Sequence, residues 1–112
     1  MATPGTGPLA APLRSKYPSL EITETTSYDA SLKAVAVNDA DVAALNFHIA
    51  CYLARRSYSA EIEIPTQPYE ALDIALAVGE GDPKNFLAKI NPALEEILTS
   101  GRVLDIEAKW LS

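Results

Sequence analysis

Ser27-Tyr28-Asp29-Ala30-Ser31-Leu32-Lys33-Ala34-Val35-Ala36-Val37-Asn38-Asp39-Ala40-Asp41-Val42-Ala43-Ala44-Leu45-Asn46 is the stretch whose reading decides the fold. Tyr28, Leu32, Val35 and Ala36 recur at helical spacing. Thr26 stands three residues before Asp29, a capping-box-like start with Asp in the place of Glu. Asn38-Asp39 stops this helix, and the apolar run from Asp41 to Leu45 reads as a buried parallel strand.

Working outward, the elements alternate. Upstream, Leu20-Glu21-Ile22-Thr23 alternates apolar and polar after the Tyr17-Pro18 break and predicts a short strand. Residues 1–12 hold three prolines and two glycines among small residues, without periodicity, and predict a flexible leader. Downstream, Phe47, Ala50, Cys51 and Ala54 mark a helix closed by Arg55-Arg56, cations that suit the negative helix end. Ala60 to Ile64 alternates again, and Leu72 to Val78 is a further apolar run, so both are expected as strands. Asp82-Pro83 fits a helix start. Phe86, Leu87, Ile90, Leu94, Ile97 and Leu98 form an amphipathic stripe, kinked or restarted near Asn91 by Pro92. Gly101 suits the residue after a helix, and Val103, Ile106 and Trp110 share a face of a last one. Strands alternating with helices imply an α/β fold with a mostly parallel three-layer sheet.

Composition narrows the function classes. Nearly half of the 112 residues are apolar and the net charge is −6, with Arg55-Arg56 the only adjacent cationic pair. A nucleic-acid partner is not expected, because neutralising phosphates needs clustered Lys and Arg. The single Cys51 lies in an apolar run and reads as a small core residue. No stretch approaches the ~20 apolar residues of a membrane span. No basic segment followed by an apolar one opens the chain. A mature form, a missing start and a cytosolic protein all agree with that.

The Ser27 to Asn46 run resembles a segment of the family 3 extracellular solute-binding proteins, in which a helix, a short turn with Asp-Ala and a buried strand stand in this order. Leu72 to Leu111 resembles the closing segment of that family, through the Ile74 to Val78 run, the turn to Asp82-Pro83, Ile90-Asn91, Gly101 and the ending Lys109-Trp110-Leu111. The resemblance implies a partial type II periplasmic-binding-protein-like fold. Residues 13–64 would be part of the second lobe of a Venus flytrap. Residues 65–112 would be the hinge return and the C-terminal helices of the first lobe. The rest of the first lobe would be missing, supplied by another chain or replaced by a second copy.

The implied function is capture of a small polar ligand, such as an amino acid, in the periplasm for an ABC-type uptake system. Two other roles follow from the same resemblance: a flytrap sensor feeding a kinase or cyclase output, and the non-catalytic flytrap portion of a lytic transglycosylase. Amino-acid-binding members carry an acidic residue where this chain has Asn46. Asn46 accepts hydrogen bonds without charge, which weakens the case for a ligand ammonium there. Asn46 and Thr26 are the two candidate ligand-binding residues, since both stand at strand-to-helix junctions, where open parallel sheets bind ligands.

No cofactor, metal site or catalytic group is expected. Gly79-Glu80-Gly81 lacks the Lys and Ser/Thr of a phosphate loop, and no Gly-x-Ser-x-Gly elbow occurs. Asp39 and Asp41 lack the glycine-centred loop of a calcium site, and Glu95-Glu96 reads as a solvated helix face. His48, the single histidine, sits beside Phe47 with no partner type arranged for acid–base work. A broad hydrolase, transferase and redox screen is therefore expected to find no turnover. Turnover abolished by His48→Ala would overturn this expectation.

Overall fold

The computed structural model describes residues 1–71 and 75–111. It divides into two compact units, Met1–Pro68 and Tyr69–Ser112. Among the described residues there are five helices and only two short strands, which overturns the expectation of a mostly parallel three-layer sheet and of a partial type II binding-protein fold. The physical reason is that most of the expected strands find no ladder partner. An apolar or alternating run becomes a strand only where a neighbour takes up its N–H and C=O groups.

Unit one is built around β1 (Ala2–Pro4). Within residues 1–12, expected as flexible, Ala2, Thr3 and Pro4 are buried, and α1 (Ala10–Lys16) follows. The small helix buries Ala10 and Leu13, one turn apart, and Pro12 falls in its first turn, where the missing N–H costs little. β1 pairs in parallel with β2 (Thr23–Thr25), Pro4 lying opposite Thr25. β2 therefore sits later than the expected Leu20–Thr23 strand and shares only Thr23 with it. On its other side β1 meets a single bridge, Ala2 to Ala43, held by Ala2 N–H donating to Val42 O at 2.8 Å and Ala44 N–H donating to Ala2 O at 2.9 Å. This bridge is all that remains of the strand expected over Asp41 to Leu45, where Val42 is 49 % exposed.

The helices α2 (Tyr28–Ala36) and α3 (Phe47–Ser57) follow the sequence pattern closely. Ser27, rather than Thr26, caps α2: its hydroxyl accepts from Ala30 N–H at 3.0 Å. The far end closes in a Schellman arrangement, with Asn38 at φ 63° and with Asp39 N–H donating to Ala34 O and Asn38 N–H to Val35 O. α2 packs on β1, β2 and α3. The core at this contact is made mainly of small side chains, Ala2, Ala44, Cys51 and Ala54, with Leu13 and Leu32 as the large ones. Two hydroxyls are completely buried among them. Thr3 Oγ1 donates to Ala44 O at 2.8 Å, and Ser31 Oγ lies 2.6 Å from Thr25 Oγ1. Residues 60–64, expected as a strand, form a turn and irregular chain after Tyr58.

In unit two, the expected strand from Leu72 to Val78 falls partly on Leu72 to Ile74, outside the described residues, and 75–78 are irregular. The Asp82 carboxylate accepts from Phe86 N–H at 2.8 Å and Leu87 N–H at 2.9 Å, so it serves the start of α4 (Leu87–Thr99) from four residues upstream. α4 runs through Pro92 as one helix, so no restart occurs at Asn91. Gly101, at φ 79°, separates it from α5 (Arg102–Leu111), and the two helices pack together.

The Thr3 hydroxyl supplies a measurable test of this core. Thr3→Val keeps the shape but leaves the Ala44 carbonyl short of a donor in a dry site, for an expected loss of about 1–3 kcal/mol. Ser15→Ala, at an exposed position, is expected to stay within about 0.5 kcal/mol of the parent. Urea midpoints at unchanged slope give both values.

Candidate functional site

The two candidate residues follow the two segments that neighbour β1. Pro4 pairs with Thr25, so the next residue on each side sets Gly5 level with Thr26. On the other side Ala2 bridges Ala43, three residues before Asn46, and no ladder continues beyond that bridge. Gly5 N–H donating to Thr25 O at 3.0 Å carries the pairing past the end of β1. Three chain segments thus leave the sheet at one edge, its carboxyl end.

Each segment turns there into a helix. After β1 the chain runs through Gly5-Thr6-Gly7, with Gly7 N–H donating to Pro4 O at 3.2 Å. A Cβ on Gly5 would stand 2.7 Å from Glu24 Oε2 and 3.2 Å from Glu24 Cβ, so a larger residue there would make the Glu24 side chain shift. The Arg14 guanidinium pairs with the same Glu24 carboxylate and ties α1 to β2. After β2, Thr26 is exposed and precedes the Ser27 cap, and its hydroxyl has no hydrogen-bond partner among the described residues. Asn46 is itself the cap of α3, with Oδ1 accepting from Ile49 N–H at 3.2 Å.

This geometry changes what Asn46 can do. Its acceptor oxygen is engaged on its own helix, and the amide NH2 is the group left to point at a ligand. The edge therefore offers donors: that amide, the Thr26 hydroxyl, and the unbonded N–H groups of the first turns of α2 and α3, whose dipoles favour negative charge. A carboxylate or another acceptor suits it better than an ammonium.

Two clefts lie elsewhere in unit one. One, of about 280 Å³, is lined by Ala54, Arg55, Ser59 and Ile62 to Ile64. The other, of about 310 Å³, surrounds the amino end of the strands between Met1, Glu21, Thr23 and Asp41. Neither contains Thr26 or Asn46. His48 lies in the first turn of α3 with its ring edge-on to Phe47 at 5.8 Å, and Cys51 is a buried free thiol. Among the described residues no three His, Cys, Asp or Glu side chains converge as metal ligands, and no helix is long and apolar enough to cross a membrane.

The Gly5-Thr6-Gly7 loop was hidden by its setting in a proline- and glycine-rich start. A pair of glycines between a run of small residues and the Leu9-Ala10 helix start is the signal that marks it. Compared with known proteins, the chain matches no family model, no curated sequence and no solved structure.

One titration reports on the helix pair below the edge. The Tyr58 hydroxyl, at the end of α3, donates to Asp29 Oδ1 in the first turn of α2 at 2.9 Å. This hydrogen bond, helped by partial desolvation and the nearby Asp29 and Glu61 charges, raises the Tyr58 pKa above its ordinary 10.0. A raised folded value means that the stabilisation is present below about pH 10 and is lost as pH rises through the folded pKa. Alkaline absorbance titration of the five tyrosines is expected to show a late component that Tyr58→Phe removes. An unchanged curve in the variant would show that the pair is open in solution.

Proposed function

We propose that unit one is a non-catalytic binding module for a small polar ligand, as the resemblance to family 3 solute-binding proteins implies. The supporting observation is that Thr26 and Asn46 follow the two segments paired with or bridged to β1 and stand at the starts of α2 and α3, while the Gly5 to Gly7 loop follows β1 itself. Open parallel sheets hold ligands at such edges, because N–H groups and helix dipoles there compensate a ligand's negative charge. The reading rests on this small ledge and not on a complete two-lobed fold.

The donor-rich edge gives the ligand an orientation. Its carboxylate faces the α2 and α3 starts, with Thr26 and the Asn46 amide as side-chain donors. Such a one-sided site supports a few hydrogen bonds of about 1 kcal/mol each and hence affinity no better than about millimolar for a free amino acid.

Backbone NMR during titration with L-amino acids, with acetate as the carboxylate control, tests the reading. Saturable shifts are expected at Gly5 to Gly7, Thr26 and Phe47, reduced in Thr26→Ala. Asn46→Asp keeps the α3 cap while setting a negative charge at the edge, and is expected to weaken acetate further. Shifts confined to the cleft around Arg55 and Glu63, or none at any residue up to tens of millimolar, would refute the proposal.

A further inference from the structure

The start of α2 holds a group of hydroxyls beneath the edge. Ser31 is completely buried, and its Oγ lies 2.6 Å from Thr25 Oγ1. Thr25 Oγ1 lies 3.1 Å and Ser31 Oγ 3.3 Å from the carbonyl oxygen of Ser27, which also accepts from Ser31 N–H at 3.2 Å. Two hydroxyl oxygens at 2.6 Å need a proton between them. One hydroxyl therefore donates to the other, and the second proton goes to Ser27 O, whichever way round the pair is arranged. The Ser27 hydroxyl accepts from Ala30 N–H. In the run Thr25-Thr26-Ser27 the outer two hydroxyls are thus engaged on the chain itself, and Thr26 keeps a hydroxyl with no partner among the described residues.

We propose that Ser31 is a positioning residue for this edge. Through Thr25 it fixes the backbone on both sides of Thr26, and so sets how the Thr26 hydroxyl and the first N–H groups of α2 meet a carboxylate. The inference rests on the binding reading above. Helix energetics favour a role beyond filling space. Ala has the higher helix propensity, and a buried hydroxyl must be stripped of water, so Ser at position 31 costs α2 stability on both counts. What the hydroxyl supplies is bonds to Thr25 and Ser27, the two residues that flank Thr26. Thr25 is also the β2 residue opposite Pro4, and its carbonyl accepts from Gly5 N–H. The Ser31–Thr25 pair therefore ties together the end of β2, the start of the glycine loop and the cap of α2, the parts that must keep one arrangement if a ligand is to meet donors already in place.

Acetate titration of the full chain, followed by the backbone NMR shifts of Thr26 and Ser27, tests this. Ser31→Ala is expected to raise the acetate dissociation constant about fivefold, the loss of one well-aimed hydrogen bond. Thr25→Val is expected to give the same loss, and the double variant no more than either alone, because both remove one bond. Thr25→Ser keeps the hydroxyl and is expected to bind as the parent does. Cys51→Ala truncates a buried side chain outside the network; it is expected to lower the urea midpoint and leave acetate binding unchanged. Should Ser31→Ala fail to fold, Thr25→Val and Thr25→Ser, at a half-buried position, carry the comparison. Parent shifts that Ser31→Ala and Thr25→Val leave unchanged overturn the positioning role while the binding reading stands. So does a weakening that Thr25→Ser or Cys51→Ala reproduces. A parent with no saturable shift at the edge overturns both.

Discussion

Unit one depends on one three-residue strand having neighbours on both sides. On one side Met1 O accepts from Thr23 N–H and Gly5 N–H donates to Thr25 O, and on the other Ala2 gives one bond to Val42 O and takes one from Ala44 N–H. Without Ala2 to Pro4 between them, the Thr23 to Thr25 strand and the Ala43 segment would share no ladder, and each would leave backbone groups unpaired. The central place also dictates size. α2 lies against β1, and Ala2 and Thr3 have no exposure at all, so a bulky residue at either would push the helix off the strands. Thr3 adds a further restraint, since its hydroxyl reaches the Ala44 carbonyl and fixes the third segment beside β1 beyond the single bridge.

The same constraint explains which parts of the fold can be read from the sequence. α2 and α3 announce themselves, because caps, periodic apolar residues and a left-handed Asn38 are local signals that agree with one another. Strands lack such local determination. The run at Asp41 to Leu45 is apolar, yet Val42 is half exposed and only Ala43 bridges, since β1 is too short to pair with more of it. Residues 60–64 alternate as a strand would, but Glu61 and Ile62 N–H groups turn back to Tyr58 O and no ladder forms. Conversely, β1 is invisible to a periodicity argument. Three small residues followed by Gly-Thr-Gly have the composition of a linker, and only the tertiary partners make them a strand.

The candidate edge was half legible for the same reason. Thr26 and Asn46 stand where helices begin, which sequence marks well. Gly5 to Gly7 stands where β1 ends, which the sequence marks only by a pair of glycines among small residues. The structure also reassigns Asn46. Read as a possible acceptor for a ligand ammonium, it spends its oxygen on Ile49 N–H to cap α3. Asp would cap as well but would leave only acceptors facing the edge. Asn caps with one end of its amide and keeps a donor at the other, so the helix start and the polarity of the edge are set by one side chain.

Unit two shows what local signals leave undetermined. Asp82 satisfies two orphan N–H groups of α4, and Gly101 takes the left-handed turn before α5, so the helix ends are specified at the level of single residues. Helices of 13 and 10 residues are nevertheless marginal in water unless an apolar face is covered. The Pro92 ring weakens α4 further, since it leaves the Ala88 carbonyl without its usual donor. The helices cover each other only along the middle of their stripes, at Ile90, Leu94, Val103 and Leu111, which are half-buried, while no residue of either helix is fully buried. The spacing of these four residues fixes which face of each helix meets the other.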